Sequence, residues 1–277
     1  MTEEILIKKT DGSTEAFDAS KLEGSLKRAG ASESIIKEIV DKVNSKLVPG
    51  MTTKEIYQDA FELLRDKEEK PIAAKYSLKK AVFELGPSGF PFEDFITEIF
   101  RATGHEASNG VIMAGKCAEH EVDMFAVHKG GKRHGAEIKF HNHPGIKTDL
   151  KVALYVHARF DDLIKGGKVD EGVLITNTRF TSNALEYGKC AGLKMISWNY
   201  PEKDNLYSLI EETGLHPITC LTTIPDRNKK ILIDNEIVLC RSIRENASVL
   251  SEYGVPVDRI PSILEEVGSL CQPGAGV

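Results

Sequence analysis

The chain has 277 residues, 41% of them hydrophobic, and a net charge of −6, an ordinary balance for a globular protein with room for two or three cored domains. No apolar run approaches a membrane span and the opening MTEEILIKKTDG lacks a signal-peptide core, so neither a membrane partner nor export is expected. The five cysteines (117, 190, 220, 240 and 271) are scattered and form no CxxC pair, which argues against a disulfide framework or a zinc ribbon and for a reducing, cytoplasmic setting. The acidity itself does not advertise nucleic acid, but it is uneven: residues 204–277 carry 6 basic against 11 acidic side chains, while 87–203 carry 15 of each.

Residues 1–86 form the first unit. Ile5–Lys9 and Thr14–Phe17 read as a hairpin about an Asp11-Gly12 turn. Asp18 caps a helix with Leu22, Leu26 and Ala29 at helical spacing. A second helix runs from Glu33 to Leu47, with Ile35, Ile36, Ile39, Val40 and Val43 inward, and Pro49-Gly50 breaks it. Thr52 or Thr53 caps a third, with Ile56, Ala60, Phe61, Leu63 and Leu64 inward. After Pro71 a fourth carries Ala74, Leu78, Ala81, Val82 and Leu85 to a stop at Gly86-Pro87.

The string Lys9-Thr10-Asp11-Gly12, Phe17-Asp18, Lys21, then Gly50-Met51-Thr52-Thr53 and Ala74-Lys75-Tyr76, resembles the ATP-cone, a small nucleotide-sensing domain of ribonucleotide reductases and of a repressor of their genes. It departs from the family at Thr10, where an arginine is common. The resemblance implies an ATP or dATP site. A triphosphate needs several cations, which Lys8, Lys9 and Lys21 supply near a turn and a helix start. Glu15, Thr52 and Thr53 would hydrogen-bond base or ribose, as their equivalents do in the family. There is no GxxxxGK[ST] loop, so binding rather than hydrolysis is expected.

Residues 87–203 open with a turn-forming linker, Pro87–Pro91, and an amphipathic helix from Phe92 to Phe100. A strand through Val111-Ile112 follows. Then comes HEVDMFAVHKGGKRHGAEIKF, from His120 to Phe140: two runs of period two about a Gly-Gly turn. Glu137 and Lys139, two apart, share a face, and Asp123 sits on the neighbouring strand. Two carboxylates and an ammonium on one patch suit a hard divalent cation such as Mg²⁺ or Mn²⁺ beside a phosphate. They equally suit an ordinary cross-strand Glu–Lys pair. A long helix from Thr148 to Ile164, with Leu150, Ala153, Leu154, His157, Phe160 and Leu163 on one side, a buried strand Gly172–Thr176, a helix Ser182–Ala191 and a closing strand Leu193–Trp198 complete the unit.

The order helix, three strands, helix, strand, helix, strand resembles the Mrr-type branch of the PD-(D/E)XK restriction-endonuclease-like nucleases. Gly89-Phe90-Pro91-Phe92-Glu93, Val122-Asp123, Glu137-Ile138-Lys139 and the TNTRFT run from Thr176 carry the likeness; relatives often have Gln where this chain has Glu137. The resemblance implies that Asp123, Glu137 and Glu93 hold the metal and Lys139 positions the attacking water. His141-Asn142-His143 spells HNH, but consecutive letters do not make that site, and Cys117-x-x-His120 lacks a second ligand pair for zinc. Lys147, Lys151, Arg159 and Arg179 are candidates for phosphate contact or for a solvated face.

Residues 204–277 read as helices around a short strand, with no recognisable chemistry. The expected fold is multi-domain α/β: a mostly helical cone (1–86), a restriction-endonuclease-like sandwich with a central mixed sheet (87–203) and a helix-rich carboxy-terminal region (204–277). The expected function is a metal-dependent DNA endonuclease governed by an adenine nucleotide, with a homodimer as the default for cutting two strands. The alternatives are a catalytically silent nucleotide-sensing DNA-binding regulator and, more remotely, an RNA substrate.

Overall fold

The structure is a computed structural model that describes residues 5–10, 12–66 and 70–271, with residues 70 and 71 as backbone. Asp11 of the expected hairpin turn lies outside the described residues. The hairpin is β1 (Leu6–Lys8) paired antiparallel with β2 (Thr14–Ala16). Asp18 caps α1 (Ala19–Arg28) by accepting the Ser20 N–H at 3.0 Å. Ser32 caps α2 (Glu33–Lys46). Thr52 caps α3 (Thr53–Asp66) in a reciprocal capping box, its hydroxyl and N–H each 2.7 Å from the Glu55 carboxylate. These elements close over a core of their own that includes Ile7, Leu26, Ile39, Val43, Ala60 and Leu64.

The single fourth helix expected from the sequence is two helices, α4 (Lys70–Tyr76) and α5 (Leu78–Phe83). The chain bends at buried Ser77, whose hydroxyl donates to the Ala74 carbonyl at 2.9 Å. The bend has a packing reason. Leu78, Ala81, Val82 and Leu85 leave the cone's core and enter the core beneath the central sheet. The cone is thus joined to the next domain by buried apolar side chains.

The next helix, α6 (Phe90–Ala102), begins inside the supposed linker, with Pro91 in its first turn where no backbone N–H is needed. Then follow β3 (His105–Ala114), β4 (Glu119–His128), β5 (Arg133–Lys139), the short β6 (Lys147–Thr148), α7 (Leu150–Lys165), β7 (Glu171–Thr176), β8 (Arg179–Phe180), α8 (Ser182–Ala191) and β9 (Lys194–Ile196). Among the described residues the main sheet has the order β3-β4-β5-β7-β9, antiparallel over its first three strands and parallel over its last three. The pleat sends Ala136, Ile138, Val173 and Ile175 to the α6 face, and Leu174 to the face covered by α7 and α8. On that second face Phe160 of α7 rests on the cross-strand pair Gly135–Gly172. A Cβ at either glycine would meet the ring at 2.7 or 2.5 Å, so the helix sits at a distance only glycine permits. Leu154, expected inward, is 44% exposed, and Val156 takes the buried place.

The carboxy-terminal region is helical: α9 (Leu206–Thr213), α10 (Asp226–Asp234), α11 (Cys240–Glu245), α12 (Ser248–Glu252) and α13 (Ile260–Leu270). The short strand expected in this region does not form among the described residues: Ile231–Ile233 lie in α10, and an isolated bridge, Pro217 to Leu239, has strand character. Its apolar residues share one continuous core with α5, α6 and the sheet. Glu266, 2% exposed, fixes the turn before α10 by accepting the N–H and hydroxyl groups of Thr222 and Thr223. Among the described residues no helix is long and apolar enough to cross a membrane.

Candidate active site

The site forms where β4 and β5 part. The two strands pair from Val127–Arg133 to Met124–Ala136 and no further. One residue beyond, the Asp123 side chain takes over the ladder: its Oδ2 accepts the Ile138 N–H at 2.7 Å. Across the other neighbour, Gly110 of β3 adopts a positive φ of 60° at the missing rung opposite Asp123, a kink glycine makes without penalty. The Asp123 carboxylate is thereby held at the backbone between Glu137 and Lys139.

Glu137 points to the α7 face and is 2% exposed. Its Oε1 lies 2.5 Å from Lys139 Nζ, and its Oε2 receives Arg159 Nη1. Arg159 is fixed in turn. It donates to the Glu121 carbonyl at 3.0 Å, bonds the Tyr155 hydroxyl, and lies 4.7 Å from the Tyr155 ring centroid. Arg159 therefore faces inward onto a carboxylate, whereas Lys147, Lys151 and Arg179 are exposed. A buried carboxylate needs such pairing, because an isolated buried charge is prohibitively costly.

Glu93 approaches from the first turn of α6, on the opposite layer. Burial first, then the charges of Asp123 and Asp94, push its carboxyl up to about 7; Lys139 opposes them and Glu137 adds to them. Glu93 thus feels the charges of Asp123, Glu137 and Lys139, which brings groups from three elements into one neighbourhood. They are not preassembled as a cage: among the described residues no group of three or more His, Cys, Asp or Glu side chains is arranged to hold a metal. The donor chemistry nevertheless fits a hard divalent ion. Asp123 and Glu137 offer carboxylate oxygens, and the cationic place at Glu137 is taken by a guanidinium.

The segment after β5 is tied across the sheet. Asn177 accepts the His141 N–H and donates to the His141 carbonyl, both at 2.9 Å. The His141 ring meets the Thr148 hydroxyl, and Asn142 donates to the Pro87 carbonyl at 3.3 Å. The HNH letters thus serve loop anchoring. Likewise His120 and the N–H groups of Cys117 and Ala118 converge on Asp162, which clamps this turn to α7. Arg159, Tyr155 and Asn177 are the site residues whose roles the sequence did not show; only their contacts with distant segments reveal them.

In the cone, Lys9 and Lys21 lie 2.6 and 3.2 Å from Glu15, whose pKa is lowered, chiefly by its bond with Lys9. Glu15, Lys21 and Thr53 line one small hollow. Lys8, Lys9 and Thr52 are not among the residues that line it: Lys9 reaches Glu15 from the hairpin, Thr52 is engaged in the capping box, and Lys8 is exposed.

Family models match three consecutive stretches: an ATP cone domain over residues 5–81, a restriction endonuclease domain over 87–200, and an AF1548-like carboxy-terminal domain over 216–271. The chain is 37% identical over 164 residues to an uncharacterized protein of Archaeoglobus fulgidus, covering 59% of this chain and 92% of that one. Among solved structures it is similar to AF1548, a protein of unknown function, at 32% identity and a TM-score of 0.54, over 66% of this chain and 98% of that one. A repair endonuclease from Pyrococcus abyssi matches at 20% identity and a TM-score of 0.32, over 40% of this chain and 46% of that one.

Proposed function

The chain belongs to the AF1548-like family, with an ATP-cone ahead of its restriction-endonuclease domain, and from that premise we propose that it is a divalent-metal-dependent DNA endonuclease governed by an adenine nucleotide. The observation that carries the reading is the seating of Asp123 on the Ile138 N–H, between Glu137 and Lys139. Asp123 and Glu137, with Glu93 from the facing layer, would hold Mg²⁺ or Mn²⁺. When bound, such an ion supplies Lewis-acid stabilisation of a phosphate and a more acidic water. Lys139, 38% exposed at its side chain, is the group that can orient a water toward the phosphorus and offset charge on the phosphate oxygens. Arg159 maintains Glu137 as a paired carboxylate until a metal and a phosphate arrive.

The cone would bind ATP or dATP through Lys8, Lys9, Glu15, Lys21, Thr52 and Thr53. Because its last helix is buried in the nuclease core, nucleotide and DNA affinities should be reciprocally coupled. Duplex cleavage calls for two centres, so a homodimer is the working assembly. The five free cysteines suit a reducing cytoplasm.

The test is cleavage of plasmid, linear and branched DNA with Mg²⁺ or Mn²⁺, by the protein and by Asp123→Ala, Glu137→Ala and Lys139→Ala. Metal-dependent products lost in each variant are expected; cutting retained by all three removes the assigned site. A second reading, a catalytically silent DNA-binding regulator, is favoured by one observation: Glu137 is already neutralised by two cations. That reading requires a salt-sensitive DNA complex and no product.

A further inference from the structure

A cleft of about 510 Å³ opens between the cone and the end of the sheet. Arg28, Lys75 and Lys79 enter it from the cone, Trp198 and Asn199 from beyond β9, and no acidic residue lines it. It adjoins the small hollow of Glu15 and Thr53 at Ser25, Tyr57 and Tyr76, but these cations and Trp198 lie outside that hollow. Lys75 is paired with Glu211 at 3.1 Å. Among the described residues Arg28 and Lys79 have no carboxylate partner: exposed Arg28 donates to Ser25 Oγ at 3.0 Å, and Lys79 Nζ lies 5.8 Å from the Trp198 ring centroid. Burial first, then the charge of Arg179, lowers the pKa of Lys79. Unneutralised cations beside an aromatic ring suit a ligand that carries both phosphates and a flat base.

The cleft opens at the same end of the sheet as the candidate active site. Ile196 of β9 pairs with Ile175 of β7, and Ile175 with Ile138 of β5. Trp198, two residues past Ile196, is therefore level with Phe140, next to Lys139 and two strands across. At a strand spacing of about 4.8 Å that is roughly 10 Å. The separating strand, β7, runs out into residues 177–179, and the Thr178 carbonyl receives the Trp198 N–H at 3.3 Å. Arg179 pairs in register with Lys147, and both are exposed. An exposed pair of cations thus stands beside the path from Lys139 to Trp198.

Resting on the reading of Asp123, Glu137 and Lys139 as a nuclease site, we propose that the cleft receives an unpaired strand of the DNA on which that site acts. A base lies against the Trp198 ring in the place that Lys79 holds, and the Lys79 ammonium and the Arg28 guanidinium turn to the adjoining phosphates. A fully paired duplex cannot make this contact, because its bases offer the protein edges rather than faces. The substrate class is accordingly DNA with a junction, a flap or a gap, its single strand starting within about three nucleotides of the scissile phosphate at roughly 3.4 Å each. The cone then forms one wall of the DNA site, in addition to its proposed nucleotide site.

Trp198 is the single tryptophan of the sequence, so its emission reports on the cleft. The full chain is titrated in EDTA with oligothymidylate and with a blunt duplex of the same length. Oligothymidylate should quench the emission saturably and the duplex should not. Arg28→Gln with Lys79→Gln should weaken oligothymidylate roughly tenfold or more and reduce the slope of log affinity against log salt by about 1.4, at ~0.7 for each single-strand phosphate contact. Arg28→Gln alone, at an exposed position, should take half of that slope and leave the melting temperature unaltered. Unchanged emission, or variant slopes equal to that of the parent chain, overturns the proposal. So does quenching by ATP but not by oligothymidylate in a Lys9→Ala, Lys21→Ala variant, which would make the cleft a site for free nucleotide. With Mg²⁺, flapped DNA should be cut roughly tenfold faster than the blunt duplex, the scale of one stacked base, and Arg28→Gln with Lys79→Gln should remove the difference. Equal cutting of both by the parent chain overturns the proposal and leaves the nuclease site standing. Quenching with no cutting of any DNA overturns the nuclease site and leaves the strand-binding cleft.

Discussion

Glu15 and Glu137 each sit between two cations, in very different surroundings. Glu15 of the cone, with Lys9 and Lys21, has side-chain exposures of 27%, 39% and 61%. Glu137 is 2% exposed and held by Lys139 and by an Arg159 that is itself held by Glu121 and Tyr155. Exposed pairs contribute little to stability, so under the proposed function the two lysines could leave their carboxylate for an incoming phosphate at little cost. The buried cluster is committed: removing one partner leaves an uncompensated charge. On the proposed reading, the first region would exchange anions and the second would hold a carboxylate in place for a metal.

The largest expected effect breaks the committed side. Asp123→Ala, Glu137→Ala or Lys139→Ala should lower DNA cleavage on the order of 10³-fold or more, read from initial rates on plasmid. Next, Arg159→Ala should destabilise the protein by about 3–5 kcal/mol in urea unfolding, with much of the loss restored in an Arg159→Ala, Glu137→Gln double variant. A single-variant loss within about 0.5 kcal/mol, the range of an ordinary surface substitution, would mean that the pair carries no burden. On the exchangeable side, Lys9→Ala with Lys21→Ala should erase the rise in melting temperature caused by ATP while changing stability without ligand by less than about 1 kcal/mol.

The smallest effect concerns Glu93. Its folded pKa of about 7 lies above the ordinary glutamate value of 4.5, so the folded protein keeps a proton that the unfolded chain releases in that interval. Stability should accordingly fall as pH rises through this window and level off above it. In EDTA, Glu93→Gln should remove that share of the fall in melting temperature between about pH 5 and 8. Superimposable pH profiles for the two proteins would show that Glu93 is not held protonated.

Much of this was legible in the chain because local signals and tertiary demands agreed. The period-two runs about Lys129–Lys132 became β4 and β5, and Asp18 and the Thr52-Thr53 pair marked helix starts that the structure keeps. Asp123, Glu137 and Lys139 could be placed on neighbouring strands because strand pairing is a local rule. What failed to show depended on partners far along the chain. The bend at Ser77 exists because Leu78 and Val82 pack under the sheet, and propensity does not see that. The short strand expected in 204–277 fails for the same reason: in the apolar Ile231-Leu232-Ile233 only Leu232 is buried, and among the described residues no strand pairs with it. Arg159, in an amphipathic helix, reads as a solvated or phosphate-facing cation; its partner Glu137 is 22 residues away on another element.

The central claim is that the carboxylates at the parting of β4 and β5 share one divalent ion. Anomalous diffraction from crystals soaked in Mn²⁺ tests it most directly. The account predicts a peak between Asp123 and Glu137, with Arg159 withdrawn from the Glu137 carboxylate. A saturating soak that leaves the Arg159–Glu137 pair intact, with no peak at Asp123, would contradict it.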